Sequence, residues 1–153
     1  MGVPFSGQYW MFRFPQLRPP RHSIVRRGNA SELSFHTTDG WPMQMEAHQK
    51  LDPPVSVRCC SGIDLVVRNA DPYPGTVALE LVLIDSTIPI NPTLSLGTVP
   101  AGSPSPSEQV LNFRMPTVSG LSKFDEIEVV FHRAQARGDR SARISIERFV
   151  LTP

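Results

Sequence analysis

Residues that could perform acid–base, nucleophilic or metal chemistry are scattered through this chain without the spacing of an active site. None of its serines stands in the context of a nucleophile elbow, and its histidines form no metal-binding pair; they are His22, His36, His48 and His132. Glu126 and Glu128 would share the solvent face of one strand, whereas a glycosidase sets two carboxyls across a cleft. The sequence therefore predicts no catalytic residue and a protein that is not an enzyme.

The only two cysteines are adjacent, at Cys59 and Cys60. Neighbouring Cα atoms lie about 3.8 Å apart across a trans peptide, below the usual disulfide range of roughly 4.4–6.8 Å. Alternation with Val55 and Val57 predicts that Cys59 points into the core and Cys60 to the other face. Two interpretations stay open: one buried and one half-exposed thiol, or a redox switch through a strained vicinal disulfide.

Aromatic side chains are the first requirement for binding a saccharide, because flat apolar rings stack on the C–H faces of sugars. Most phenylalanines fall at inward strand positions, which leaves Tyr9, Trp10, Trp41 and Tyr73 to face a ligand. Trp41, beside Asp39–Gly40, and Tyr73, in a proline-flanked turn, are the predicted platforms. The alternative is that each loop aromatic caps the end of the core.

Polar side chains at the outward positions of the predicted strands are the second requirement, because they replace the water that a sugar loses. We expect His48, Arg68 and Arg114 to belong to the ligand-binding set, since guanidinium groups suit pairs of hydroxyls. The alternative is an ordinary solvated sheet face with weak cross-strand ion pairs.

Alternating apolar and polar residues indicate the elements that must position these groups. The alternation predicts strands at 32–37, 43–48, 55–59, 63–69, 77–84, 94–99, 109–115, 124–132 and 142–151, with a bulge near Glu147–Arg148 in the last. So many strands without a convincing helix predict an all-β, two-sheet antiparallel β-sandwich. The long connections 84–94 and 115–124 favour jelly-roll topology.

The chain is predicted to comprise an arm, residues 1–30, and one sandwich domain, residues 31–153. The arm is rich in proline and arginine, and it includes an edge strand over Tyr9–Phe14. A net charge of +1 gives no drive toward nucleic acid. No apolar run reaches the ~18 residues of a membrane-spanning helix, and no signal peptide is evident. The compartment stays open; it would be extracytoplasmic if the chain belongs to a longer exported or anchored protein.

Four segments carry a resemblance to a known family: Ile63–Asn69, Gly75–Leu81, Leu121–Ile127 and Ile144–Leu151. In these segments the stretch from Ile63 to Pro153 resembles the galactose-binding-like jelly rolls, which include many carbohydrate-binding modules. The resemblance implies a non-catalytic module that binds saccharides or other partners through loops at one end or through a concave sheet face.

The resemblance also implies a structural calcium near the terminal strands. Glu147 stands where such modules often carry an aspartate, and no tight acidic cluster offers the six to eight oxygens that calcium takes. We therefore predict no metal and no cofactor. The predicted function is a non-catalytic binding module with a glycan ligand, and the alternative is a structural or protein-interaction domain of a larger assembly.

Overall fold

The computed structural model describes residues 1–13, 24–27, 43–134 and 142–153. These residues form ten strands and one short 3-10 turn. The strands are β1 Gly2–Pro4, β2 Gln8–Arg13, β3 Ile24–Arg27, β4 Met43–Ser56, β5 Gly62–Asn69, β6 Val77–Ile84, β7 Thr93–Pro100, β8 Gln109–Arg114, β9 Lys123–Arg133 and β10 Ile144–Thr152. Within these ranges no helix is long and apolar enough to cross a membrane.

The strands form two antiparallel sheets that face each other, which confirms the predicted sandwich. One sheet has four strands in the order β1-β10-β5-β8, and the other has six in the order β3-β2-β4-β9-β6-β7. From β4 to β10 the chain passes repeatedly between the sheets, with only β6 and β7 joined within one of them. Eight strands, in the orders β1-β10-β5-β8 and β4-β9-β6-β7, form a jelly roll of two four-stranded sheets, and β2 and β3 extend the second sheet.

The core lies between the sheets and follows the two-residue period of the strands. In β6, Val77, Leu79, Leu81 and Leu83 are all buried, while the residues between them are half-buried on the outer face. Phe149 of β10 is also fully buried, and it belongs to the same core cluster. Burying each large apolar side chain stabilises the fold by about 1.5–3 kcal/mol.

Two strands predicted as separate are one strand in the structure, β4. Pro53 and Pro54, between the two predicted strands, lie where pairing with β9 is interrupted, since the register shifts between Lys50 and Val55. The peptide bond Asp52–Pro53 is cis. Prolines are tolerated at such an irregularity because they lack the N–H that a regular ladder needs.

The predicted arm differs from the structure in its first residues, because 1–13 are part of the sandwich. β1 pairs with β10, and β2 lies between β3 and β4 rather than at an edge. Tyr9 is fully buried, and its hydroxyl accepts a hydrogen bond from the backbone N–H of Ile146, at 2.8 Å. Tyr9 and Met11 point inward with the same period of two that marks the other strands.

The predicted bulge in β10 is confirmed, since the register against β5 shifts between Ile146 and Arg148. The shift keeps Phe149 and Leu151 in the core after Ile144 and Ile146. The strand predicted at 32–37 lies outside the described residues.

Candidate functional site

A groove opens at one end of the sandwich, between the turn that follows β4 and the connection from β8 to β9. Its volume is about 790 Å³, within the range of ligand sites. We call it the rim groove, and its lining residues are Ser56, Val57, Arg58, Cys60, Ser61, Met115, Pro116, Thr117, Val118, Ser119, Gly120, Leu121 and Ser122.

Backbone hydrogen bonds hold the two walls of the rim groove together. The N–H of Val57 donates to the carbonyl of Ser122 at 3.0 Å, and the N–H of Met115 donates to that of Ser61 at 2.8 Å. Gly62 lies so close to the opposite strand that a Cβ atom there would be 2.6 Å from the carbonyl oxygen of Phe113. The groove is therefore preformed by the sheet ends, and glycine is needed where they approach.

The local sequence explains why the first wall is a turn. The side chain of Ser56 accepts a hydrogen bond from the N–H of Arg58 at 3.2 Å, which caps a 3-10 turn over Val57–Cys59. Only Val57 of this turn is buried, so it anchors the turn on the core. Arg58 is left on the surface, at the groove.

The lining of the rim groove combines hydroxyl groups with apolar surface. The hydroxyls belong to Ser56, Ser61, Thr117, Ser119 and Ser122. Among the described residues that line it, Arg58 carries the only charge. Met115, Pro116 and Val118 supply apolar surface, and the Val118 side chain is 87% exposed.

A second group of polar side chains lies on the outer face of the six-stranded sheet. Glu46, His48, Glu126 and Glu128, here called the His48 cluster, are all buried. β4 and β9 bring them together because His48 pairs directly with Glu128. The ring of Trp10, from the next strand, stacks on the imidazole with centroids 3.8 Å apart.

Both ring nitrogens of His48 contact carboxylates. Nδ1 lies 2.7 Å from Glu126 Oε1, and Nε2 lies 3.2 Å from Glu46 Oε2. Burial alone would lower the pKa of His48, but these hydrogen bonds and the charge of Glu128 outweigh it and raise the pKa to about 9. His48 is thus an imidazolium at neutral pH.

The carboxylate of Glu126 is held ionised by the same contacts. Burial would raise the pKa of Glu126, but His48 and the ammonium of Lys50, 2.5 Å from Oε2, lower it. The sequence placed Glu126 and Glu128 on a solvent face, and the structure corrects this because both are buried.

Three residues of the His48 cluster have the composition of a metal site. One ligand atom from each of Glu46, His48 and Glu128 lies within 4.8 Å of the other two. Nitrogen and oxygen ligands of this kind suit zinc. A metal at Nε2 would have to displace the proton that lies between His48 and Glu46. We therefore describe the cluster as a buried ionic network.

The aromatic platforms predicted from the sequence do not line the rim groove. Trp41 lies outside the described residues. Tyr73 lies in the turn between β5 and β6, at the opposite end of the sandwich, where its side chain is 41% exposed. Its backbone N–H donates to Asp71 Oδ1 at 3.0 Å, which fixes the turn.

The three predicted polar residues are also far from one another in the fold. His48 is buried in its cluster on the six-stranded sheet. Arg68 lies on the outer face of the four-stranded sheet and contacts Glu147 at 3.4 Å. Arg114, exposed on that sheet, pairs with Gly62 near the rim groove without lining it. No single site unites them in the part of the chain that is described.

Cys60 and Met115 line the groove but were not predicted from the sequence as ligand-binding residues. The expected strand at 55–59 would have turned Cys59 inward, but Cys59 is exposed and Cys60 is half-buried. Successive side chains rotate by a smaller angle in a 3-10 turn than in a strand, so inward and outward positions no longer alternate there. The signal that could have found the groove is the Ser-Gly pairs at 61–62 and 119–120, which mark connections at one rim.

Comparison with known proteins gives no relative: no family model, no curated protein and no solved structure matches this chain. Of the resemblance found in the sequence, the structure supports the fold, a two-sheet antiparallel sandwich.

Proposed function

We propose that this protein is a non-catalytic binding module of the galactose-binding-like kind and that the rim groove takes a saccharide. The observation that carries this proposal is the lining of the groove, in which five hydroxyl side chains and one guanidinium occur beside apolar surface. A ligand rich in hydroxyls can exchange its water for these donors and acceptors without leaving polar groups unpaired.

Arg58 is the specificity residue in this proposal. Its guanidinium presents parallel N–H donors that match two neighbouring hydroxyls of a sugar ring. Met115 and Val118 offer apolar surface to the C–H face of the same ring. No aromatic ring lines the described groove, so we expect weak binding, with Kd of about 1 mM, or about −4 kcal/mol.

The family resemblance adds support because such modules bind ligands through loops at one end of the sandwich, and the rim groove lies between two such loops. Jelly rolls serve lectins, capsid subunits and other proteins alike. The fold by itself therefore does not select the ligand, and the groove lining must do so.

The test is a saccharide array on the full chain, followed by isothermal titration of any hit. Arg58→Ala should weaken binding at least about 10-fold, as expected for the loss of a charged hydrogen bond of 1.5–3 kcal/mol. Arg114→Ala is the matched control, because it removes an exposed arginine near the same rim without touching the groove.

Two further variants test the residues predicted from the sequence. Trp41→Ala and Tyr73→Ala should leave affinity unchanged if the groove alone binds the sugar. Loss of binding in either variant with full binding in Arg58→Ala would refute the groove assignment. No hit on the array would refute the saccharide proposal itself.

A protein-interaction domain is the second candidate, and exposed apolar side chains favour it. Val118 is 87% exposed and Ile90 is 82% exposed. Ile90 lies in the connection from β6 to β7, which opens at the same end as the groove. If this end docks a protein or a second copy, sedimentation should show association that the double change Ile90→Ser and Val118→Ser abolishes.

A further inference from the structure

The guanidinium of Arg58 brings a positive charge to the rim groove, and no side chain of the described residues neutralises it. No carboxylate occurs among the described residues that line the groove. None of the ion pairs formed within the described part of the chain includes Arg58. The groove therefore presents one cation without a counter-charge.

The outer face of the four-stranded sheet shows how a guanidinium of this protein meets a carboxylate. Nη1 and Nη2 of Arg148 donate to the two carboxylate oxygens of Glu108, at 2.9 and 2.7 Å. Arg68 on the same face contacts Glu147 at 3.4 Å. Paired N–H bonds to a carboxylate are roughly twice as strong as bonds between neutral groups. Arg58 has the same pair of donors, and a ligand can supply the carboxylate that the groove lacks.

We propose that the saccharide of the rim groove is a uronic acid whose carboxylate pairs with Arg58. This inference rests on the proposed function, because it names the class of sugar that the same groove takes. A neutral sugar would displace water from the guanidinium without supplying a negative charge, whereas a carboxylate supplies both hydrogen bonds and charge. A uronic acid therefore gains affinity at Arg58 that a neutral sugar does not.

The hydroxyls of the groove fit the rest of such a sugar. Thr117 and Ser122 are exposed, and their hydroxyls have no hydrogen-bond partner among the described residues. The Ser119 hydroxyl accepts from the N–H of Leu121 at 3.0 Å, so its own proton is available to a ligand oxygen. These hydroxyls belong to the wall between β8 and β9, whereas Arg58 belongs to the turn after β4. A ring between the walls can direct its carboxylate to one and its hydroxyls to the other.

Two further cations lie near the groove and strengthen its attraction for an anion. Arg114 pairs with Gly62 at the end of β8, and Lys123 pairs with Ser56, which lines the groove. Neither cation takes part in an ion pair among the residues that the structure describes. Their fields reach the groove at low salt, since the Debye length is about 30 Å at 0.01 M. Neither lines the groove, so direct contact with the carboxylate is assigned to Arg58.

The experiment compares matched pairs of methyl glycosides by NMR titration of the full chain. Each pair contains a uronic acid and the neutral hexose of the same configuration, in the galacto, gluco and manno series. For at least one pair, we expect the acid to bind about 5- to 10-fold more tightly at about 20 mM NaCl, because its bonds to Arg58 are charged on both sides. This preference should fall to about 2-fold or less at about 0.5 M NaCl, where salt screens exposed charges.

Two variants test whether the preference belongs to one guanidinium. Arg58→Gln keeps N–H donors but removes the charge, so it should bind the acid and the neutral sugar within about 2-fold of each other at low salt. Arg114→Gln is the matched control, since it removes an exposed charge near the same rim outside the groove lining. It should keep most of the wild-type preference. Circular dichroism checks the fold of both variants.

The outcomes separate this inference from the proposed function. Equal affinity for the acid and the neutral member of every pair that binds would overturn the uronic acid and leave the saccharide proposal standing. Absence of binding by every glycoside, or binding of acetate as tight as that of the uronic acids, would overturn both. A preference that persists in Arg58→Gln, or that disappears in Arg114→Gln, would overturn the pairing of the carboxylate with Arg58.

Discussion

Replacing His48 by glutamine should destabilise the sandwich at pH 6 and remove most of its pH dependence between pH 6.5 and 9. The imidazolium of His48 is buried between Glu46 and Glu126 and opposite Glu128. Lys50 is the other described cation of the network, and it contacts Glu126 from a more exposed position. Glutamine keeps the polarity of the position but carries no charge to offset the carboxylates.

The size of the effect follows from the pKa of His48, which rises from 6.5 to about 9 on folding. Since one pKa unit corresponds to about 1.4 kcal/mol, the rise amounts to about 3 kcal/mol. A histidine whose pKa is raised by folding contributes fully below its unfolded pKa, and the contribution is lost as the pH rises through the folded value. The wild type should therefore lose about 3 kcal/mol of stability between pH 6 and 9.5.

Urea unfolding at a series of pH values measures this directly. The difference between wild type and His48→Gln should be about 3 kcal/mol at pH 6 and should shrink toward zero at pH 9.5. Tyr9 and Cys60 also have raised pKa values, but they are present in both proteins and cancel in the difference. A difference that is the same at both pH values would refute the reasoning.

His132→Gln is the matched control on the same sheet. His132 lies 2.7 Å from Glu80, but its side chain is 48% exposed. Water screens such a pair, so we expect a cost of about 0–1 kcal/mol at any pH. An effect as large as that of His48→Gln would show that burial is not what makes the His48 cluster strong.

Three further predictions concern stability and local motion. Tyr9→Phe leaves the N–H of Ile146 without its acceptor in the core, so the free energy of unfolding in urea should fall by about 1–3 kcal/mol. Gly7→Ala should lower the same quantity by about 1–3 kcal/mol, because the new Cβ would overlap a carbonyl of β4. Asp125 accepts two hydrogen bonds from Ser86, at 2.7 and 2.6 Å, so Asp125→Ala should speed amide exchange in the β6–β7 connection about 10-fold. Unchanged values for these variants would contradict the assigned contacts.

The sandwich could be predicted from the sequence because strand alternation is a local signal. The alternation within Val77–Ile84 predicts a strand, and the structure has a strand with these bounds. The bulge in β10 was visible in the same way, since the inward phase changes between Ile146 and Phe149. Where one face of a strand is buried, the alternation of apolar and polar residues predicts which side chains point into the core.

The candidate site could not be predicted because it depends on contacts between distant segments. Arg58 and Met115 line one groove only because β5 and β8 end at the same rim. The 3-10 turn over Val57–Cys59 is capped by a single serine, a weak local signal. His48 and Glu126 were predicted to be exposed to solvent. The alternation alone does not show that the outer face of the six-stranded sheet is covered at these residues.

The position of β10 between β1 and β5 has a consequence for how the molecule forms. β1 has no partner in its sheet until β10 has been synthesised, although it precedes every other strand of the sandwich. Pairings between such distant segments are slow to find. We therefore expect the early strands to remain in a partly open state, in which the aliphatic side chains of β5 are exposed to aggregation until β10 joins the sheet.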